Sequence, residues 1–262
     1  MAYDDDIIRK NLFTFSLVGV LINDTKKREA LSPKHQRAFM EFVKEDPYYR
    51  RYCDMFNVLL GTGMRISEFC GLTIKNLDFE NRKIFICKQL IKEEGGAYHV
   101  GKTKTTCGER YIPMTDEVYE NMRDMVKRRP VPKRELIVGG CTKFLTLDRN
   151  GNLVVSLYVE NYMGGATRKY RKTHKEYLPP VTPHIMRHTF CTNMANAGMD
   201  LKSLQYIMGH SEIGVTLNVY THAGFPAQRP PCAVFYSSPD SRKCVRSNPI
   251  HTKFMPKIRV KA

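Results

Sequence analysis

Two arginines stand in the sequence where anions collect. Arg65 lies in Gly61-Thr62-Gly63-Met64-Arg65-Ile66-Ser67-Glu68, just after Gly61 ends one helical period and where the next begins. A helix N-terminus is already positive, so an arginine there suits a bound anion that the guanidinium and free N–H groups reach together. Glu68, three residues on, can orient that guanidinium. The plainer reading is a surface Arg–Glu pair. Arg187 lies in Thr182-Pro183-His184-Ile185-Met186-Arg187-His188, on one helix face with His184. His184 and His188 also have the i, i+4 spacing of a zinc helix, but no glutamate lies between them and Arg187 would oppose a divalent cation. His210 follows glycine in Ile207-Met208-Gly209-His210, and Tyr220 comes ten residues later. A single tyrosine at helical spacing is usually a core or interface residue, and this chain has 14.

The combination says more than its parts. Two arginines, two histidines, a tyrosine and a lysine from the loop 101–109, either Lys102 or Lys104, make up a set for phosphoryl transfer without a metal. Arginine forks can hold the two non-bridging oxygens of a phosphodiester and stabilise the charge gathered as phosphorus becomes five-coordinate. Histidine moves protons near neutral pH. Tyrosine, with an unperturbed pKa near ~10, needs help to become a nucleophile. Lysine can protonate a leaving alkoxide.

The elements that must position these groups are mostly helical. Ser32-Pro33 predicts an N-cap and first helical position, with Ala38, Phe39, Phe42 and Val43 as the apolar face. A second helix is expected over 48–60 with Gly61 as its stop. Residues 83–88, 98–100 and 110–114 read as strands. Further helices are expected from Thr115 to about Arg129, over 156–174 with the basic run 168–175, from Thr182-Pro183 to Gly198, from Asp200 to near Gly209, and over 215–221. The fold class predicted is mostly α with a small antiparallel β-sheet (α+β).

The bulk properties agree with an anionic partner. Lys and Arg total 42 against 26 Asp and Glu, a formal charge of +16. Such a surplus repels itself unless a polyanion is present, and DNA, RNA and anionic membrane are the candidates. The acidic opening of the chain is unlike a secretory signal. The apolar stretch 12–22 is shorter than the ~20 residues a bilayer span needs, so a cytoplasmic protein is expected. None of the eight cysteines forms a C-x-x-C pair, which argues against zinc sites and a disulfide framework. No cofactor, metal or small-molecule substrate is expected.

The quoted motifs, in this order, resemble the tyrosine recombinase family, with integrases of conjugative transposons as the nearest relatives. The resemblance covers roughly residues 30–222 and rests on Gly61–Glu68, His184–His188, Ile207–His210 and Asn218-Val219-Tyr220-Thr221-His222. It implies the tyrosine recombinase catalytic-domain fold, with Arg65 and Arg187 as the phosphate clamp and His184 as the general acid/base histidine. His210 would be the second histidine or the equivalent of a tryptophan, and Tyr220 the nucleophile. Lys104-Thr105-Thr106-Cys107-Gly108-Glu109-Arg110-Tyr111-Ile112-Pro113 matches the family's lysine-loop pattern, which favours Lys104 over Lys102. The implied partners are double-stranded DNA and other protomers of a recombination complex. A type IB topoisomerase would share the chemistry, and a DNA-binding remnant would lack it.

The resemblance also divides the chain. Residues 25–222 would be the catalytic domain. Residues 1–24 would supply a lead-in, the end of a core-binding region and a linker. Residues 223–262, basic and proline-rich without sustained period, are expected to be a poorly ordered tail lacking the helix that packs between protomers in relatives.

Overall fold

The computed structural model describes residues 29–93, 96–103, 108–214 and 216–217, all within one compact unit that ends at Phe225. The expectations for residues 1–24 and 223–262 lie outside the described residues, as do Lys104 and Tyr220.

The helices form where the capping residues place them. α1 (Pro33–Glu45) starts under Ser32, whose Oγ accepts from the His35 N–H at 3.2 Å. It buries Phe39 and Val43, and Phe39 stacks on Phe56 at 5.8 Å. A short 3-10 segment, Tyr49–Tyr52, leads into α2 (Cys53–Thr62). Met55, Phe56, Val58, Leu59 and Thr62 of α2 are all buried, because α1, α4 and α6 pack around it. α3 (Ile66–Cys70) follows at once. α4 (Asp116–Arg128) is capped by Thr115, with acidic residues in its first turn and basic ones in its last, as the helix dipole favours. α5 (Ser156–Thr173) carries most of the basic run. Thr182 and Pro183 start α6 (Pro183–Asn196), and Asp200 caps α7 (Leu201–Met208). Residues 213, 214, 216 and 217 are helical, and the rest of the helix expected over 215–221 lies outside the described residues.

The strands form two small antiparallel sheets rather than one. β1 (Leu77–Asp78), β2 (Lys83–Ile86) and β5 (Arg110–Pro113) make a sheet in the order β1-β2-β5. β3 (Lys88–Lys92) and β4 (Tyr98–Lys102) make the second. The sequence predicted one strand over 83–88. It breaks at Cys87 because the buried positions change phase: Ile84 and Ile86 face the core from β2, then Gln89 and Leu90 are buried side by side in β3.

The helix stop at Gly61 also needs correction. Gly61 lies inside α2, where an added Cβ would come 2.7 Å from Val118 Cγ2, so its role is close approach of α4. The stop is Gly63, with φ 61° and its N–H donating to Leu59 O at 3.1 Å. α6 likewise ends at Asn196, before Gly198. The described cysteines, Cys53, Cys70, Cys87, Cys141 and Cys191, are free thiols. Burial pushes Cys70 up to about 12 and Cys191 up to about 11, which makes both inert core residues.

Candidate active site

Gly63 brings the chain against α6 at a distance only glycine allows, since a Cβ there would lie 2.3 Å from Phe190 Cδ1. Two residues later Arg65 is the N-cap of α3. Its backbone N–H donates to Glu68 Oε2 at 2.8 Å, and its Nη1 donates to Glu68 Oε1 at 2.9 Å. The expected orientation of Arg65 by Glu68 is therefore present. Its Nη2 donates to Gly209 O at 2.9 Å, across to the end of α7.

Arg187 comes to the same place from α6. It is buried, donating through Nη1 to Gly63 O at 2.7 Å and through Nη2 to Met208 O. Burial, then the charge of Arg65, pushes its pKa down to about 9, with Glu68 opposing and Arg110 adding. It remains a cation at neutral pH.

A third guanidinium lies beneath the other two. Arg110, the first residue of β5, is 1% exposed. It donates to both oxygens of Glu68, at 3.0 and 2.8 Å, to Gly108 O at 3.0 Å and to Ile207 O at 2.6 Å. Burial pushes the Glu68 carboxyl up, but Arg110 and then Arg65 outweigh it and hold Glu68 below the usual range. Three guanidiniums thus face one carboxylate, leaving two positive charges in excess. The last three carbonyls of the α7 turn, those of Ile207, Met208 and Gly209, each accept from a different arginine. A helix C-terminus carries partial negative charge, so the grip is electrostatically favourable.

Gly209 closes α7 in the left-handed region, with φ 62°. Its glycine identity has a second cause, because a Cβ there would meet Arg110 Nη1 at 2.9 Å. His210 follows, held by mutual hydrogen bonds between its backbone and Gln205. Its Nδ1 lies 3.0 Å from Thr216 Oγ1. Burial, then Arg187, Arg65 and Arg110, push His210 down to about 4, so it is neutral at pH 7. His184, exposed in the first turn of α6, has its Nε2 3.0 Å from His188 Nε2.

Arg65, His184, Arg187 and His210 line one cleft of about 920 Å³, together with Ser67 and Thr182. Lys104 and Tyr220 lie outside the described residues. Lys102 is exposed at the end of β4 and does not line the cleft. Among the described residues, no three His, Cys, Asp or Glu side chains gather to hold a metal ion. Sequence reasoning gave no role to Arg110, Gln205 or Thr216. Arg110 was visible only as part of the lysine-loop pattern, and nothing in its spacing marks it as buried.

The cleft brings two guanidiniums together, with a third buried beneath them, on a helical frame with small antiparallel sheets, an arrangement that can hold an anion. The chain belongs to the phage integrase family, whose model matches residues 29–225. It is 43% identical over 225 residues to the transposase from transposon Tn916 of Enterococcus faecalis, covering 86% of this chain and 55% of that protein. Tyrosine recombinase XerC of Halalkalibacterium halodurans is 28% identical over 186 residues, 68% of this chain and 52% of that one. Among solved structures, the Tn1549 transposon integrase in complex with a circular intermediate DNA matches with a TM-score of 0.79 at 46% identity, over 86% of this chain and 71% of that chain. The chain spans about half the length of the curated relatives it matches.

Proposed function

We propose that this chain carries the catalytic domain, residues 25–222, of a site-specific DNA integrase of a mobile element. It cuts and rejoins double-stranded DNA through a 3′-phosphotyrosine on Tyr220. The observation that carries the reading is the convergence of the Arg65 and Arg187 guanidiniums on one cleft, in a chain similar to a transposon integrase and to Xer recombinases.

Arg65 and Arg187 hold the non-bridging oxygens of the scissile phosphate and stabilise the five-coordinate transition state. The Tyr220 oxygen forms a bond to phosphorus as the bond to the 5′-oxygen breaks. The phenolic proton goes to His184 acting as base, and the leaving 5′-alkoxide takes a proton from Lys104. The 5′-hydroxyl of another strand then attacks the phosphotyrosine and restores both a phosphodiester and a free tyrosine. Bonds to phosphorus are conserved in each step, so no ATP is consumed. Each charge-stabilising role has a cationic side chain, so the reaction is metal-independent.

His210 has a different part. It is neutral, so it offers an N–H rather than a charge. In the tautomer with its proton on Nε2, Nδ1 accepts from the Thr216 hydroxyl and the Nε2–H can be donated to a phosphate oxygen. A tryptophan also offers one neutral N–H, which accounts for the interchange of the two residue types that the resemblance implies. Protomers assembled on DNA carry out strand exchange in the cytoplasm, at the nucleoid. Among the described residues no helix is long and apolar enough to cross a membrane. Similarity to recombinases favours strand exchange over topoisomerase-like relaxation.

The test is incubation with a nicked duplex that traps the covalent intermediate, followed by a denaturing gel. The wild-type chain should give a covalent band in the presence of EDTA. Tyr220→Phe should abolish the band while DNA binding stays nearly unchanged. A covalent band from the Phe variant, or strict dependence on a divalent metal, would overturn the assignment.

A further inference from the structure

We propose that Arg110 is a positioning residue of the active site: it fixes Glu68 and the end of α7, and through them sets Arg65 and His210 before DNA arrives. The inference rests on the strand-transfer reading of the cleft.

Arg110 reaches none of the cleft-lining positions itself, being sealed beneath them. What it touches is informative. Its fork takes both oxygens of Glu68, the same two oxygens that receive the backbone and side-chain N–H groups of Arg65. Four charge-assisted or backbone bonds on one carboxylate leave it no freedom to turn, so the plane of Glu68 dictates the plane of Arg65. Arg110 Nε meanwhile holds Ile207 O, two residues before Gly209, whose carbonyl holds Arg65 from the other side. His210 follows directly in the chain. A single buried guanidinium therefore ties three segments together: α3, the end of α7, and the base of the 101–109 loop through Gly108 O.

A residue that only stabilised the fold would not need this arrangement. A buried ion pair costs desolvation that its attraction barely offsets, and a well-packed apolar pair is often as stable. Here Glu68 is also bonded to Arg65, which lines the cleft, and Arg110 to the α7 turn that leads into His210. The close approach of Arg110 to Gly209 adds a further constraint, since the site has been shaped to admit the guanidinium where any Cβ would collide. Glu68 faces Arg65 on its own helix, Arg110 from β5 and Arg187 from α6.

The test compares wild type, Arg110→Met and Arg110→Lys on one nicked duplex at saturating concentration, measuring single-turnover formation of the covalent adduct, affinity for intact duplex and thermal stability. Lysine keeps the charge but cannot make the fork. Both variants should lose on the order of 10–100-fold in adduct rate, the cost of misplacing catalytic groups, with duplex affinity within about twofold. In Arg110→Met the acid limb of the pH–rate profile should also move to higher pH, because Glu68 protonates more readily without its fork partner and then releases Arg65. Folded variants with wild-type rate and pH profile would overturn the proposal. So would failure of both variants to fold, which would make Arg110 a purely structural residue. Absence of adduct from the wild-type chain would instead sink the strand-transfer reading itself.

Discussion

His210 shows how the site resolves at the scale of one residue. Its folded pKa lies below the ordinary value of 6.5, at about 4, because burial and three guanidiniums oppose a second proton. Between those values the unfolded chain binds the proton and the folded chain does not, so stability at pH 7 should fall as pH drops from ~6.5 towards ~4. His210→Gln should flatten that part of a melting-temperature profile taken without DNA. An unchanged slope would mean that His210 is not held neutral. Arg65, His184, Arg187 and His210, which residue type and motif single out in the sequence, line one cleft. Arg110 is not singled out in this way. Strand β5 alternates buried and exposed positions, and Arg110 shares its inward face with Ile112. Hydrophobic alternation assigns an arginine to water, so only the tertiary partner, Glu68, explains its inward position.

At the scale of elements, the helix starts were the clearest signals, because each depends on one or two local residues. Ser32-Pro33, Thr115, Thr182-Pro183 and Asp200 all cap helices. The stops and strands were harder, since they depend on partners distant in sequence. Gly61 looks like a stop, yet it serves the packing of α2 on α4. β3 carries no alternation that a sequence could show. Thr182 offers a direct test of how a cap supports the site. Its Oγ1 accepts from the Ile185 N–H at 3.2 Å, at the start of the helix that holds His184 and Arg187. Thr182→Ala should destabilise the chain by about 1 kcal/mol, seen as a lower urea midpoint with an unchanged m-value. A midpoint equal to wild type would mean that water replaces the cap without loss.

For the whole molecule the governing quantity is charge. At +16, the chain is expected to hold DNA mainly through phosphates. Some of the basic surface is already engaged: Lys169 pairs with Asp46 at 2.5 Å, and Arg171 donates to Leu178 O. The logarithm of the association constant should fall linearly with the logarithm of salt concentration, with a slope of about −0.9 per phosphate neutralised. Fluorescence anisotropy between ~50 and ~200 mM salt measures it, and a slope near zero would remove phosphate contact as the source of affinity. The grip on α7 has a different kind of consequence. Its three acceptors are main-chain carbonyls, which every amino acid supplies. Inheritance can therefore vary the side chains at positions 207 and 208 wherever packing permits, and the arginines keep their anchors. Gly209 is the exception, since the room it leaves is itself what is inherited.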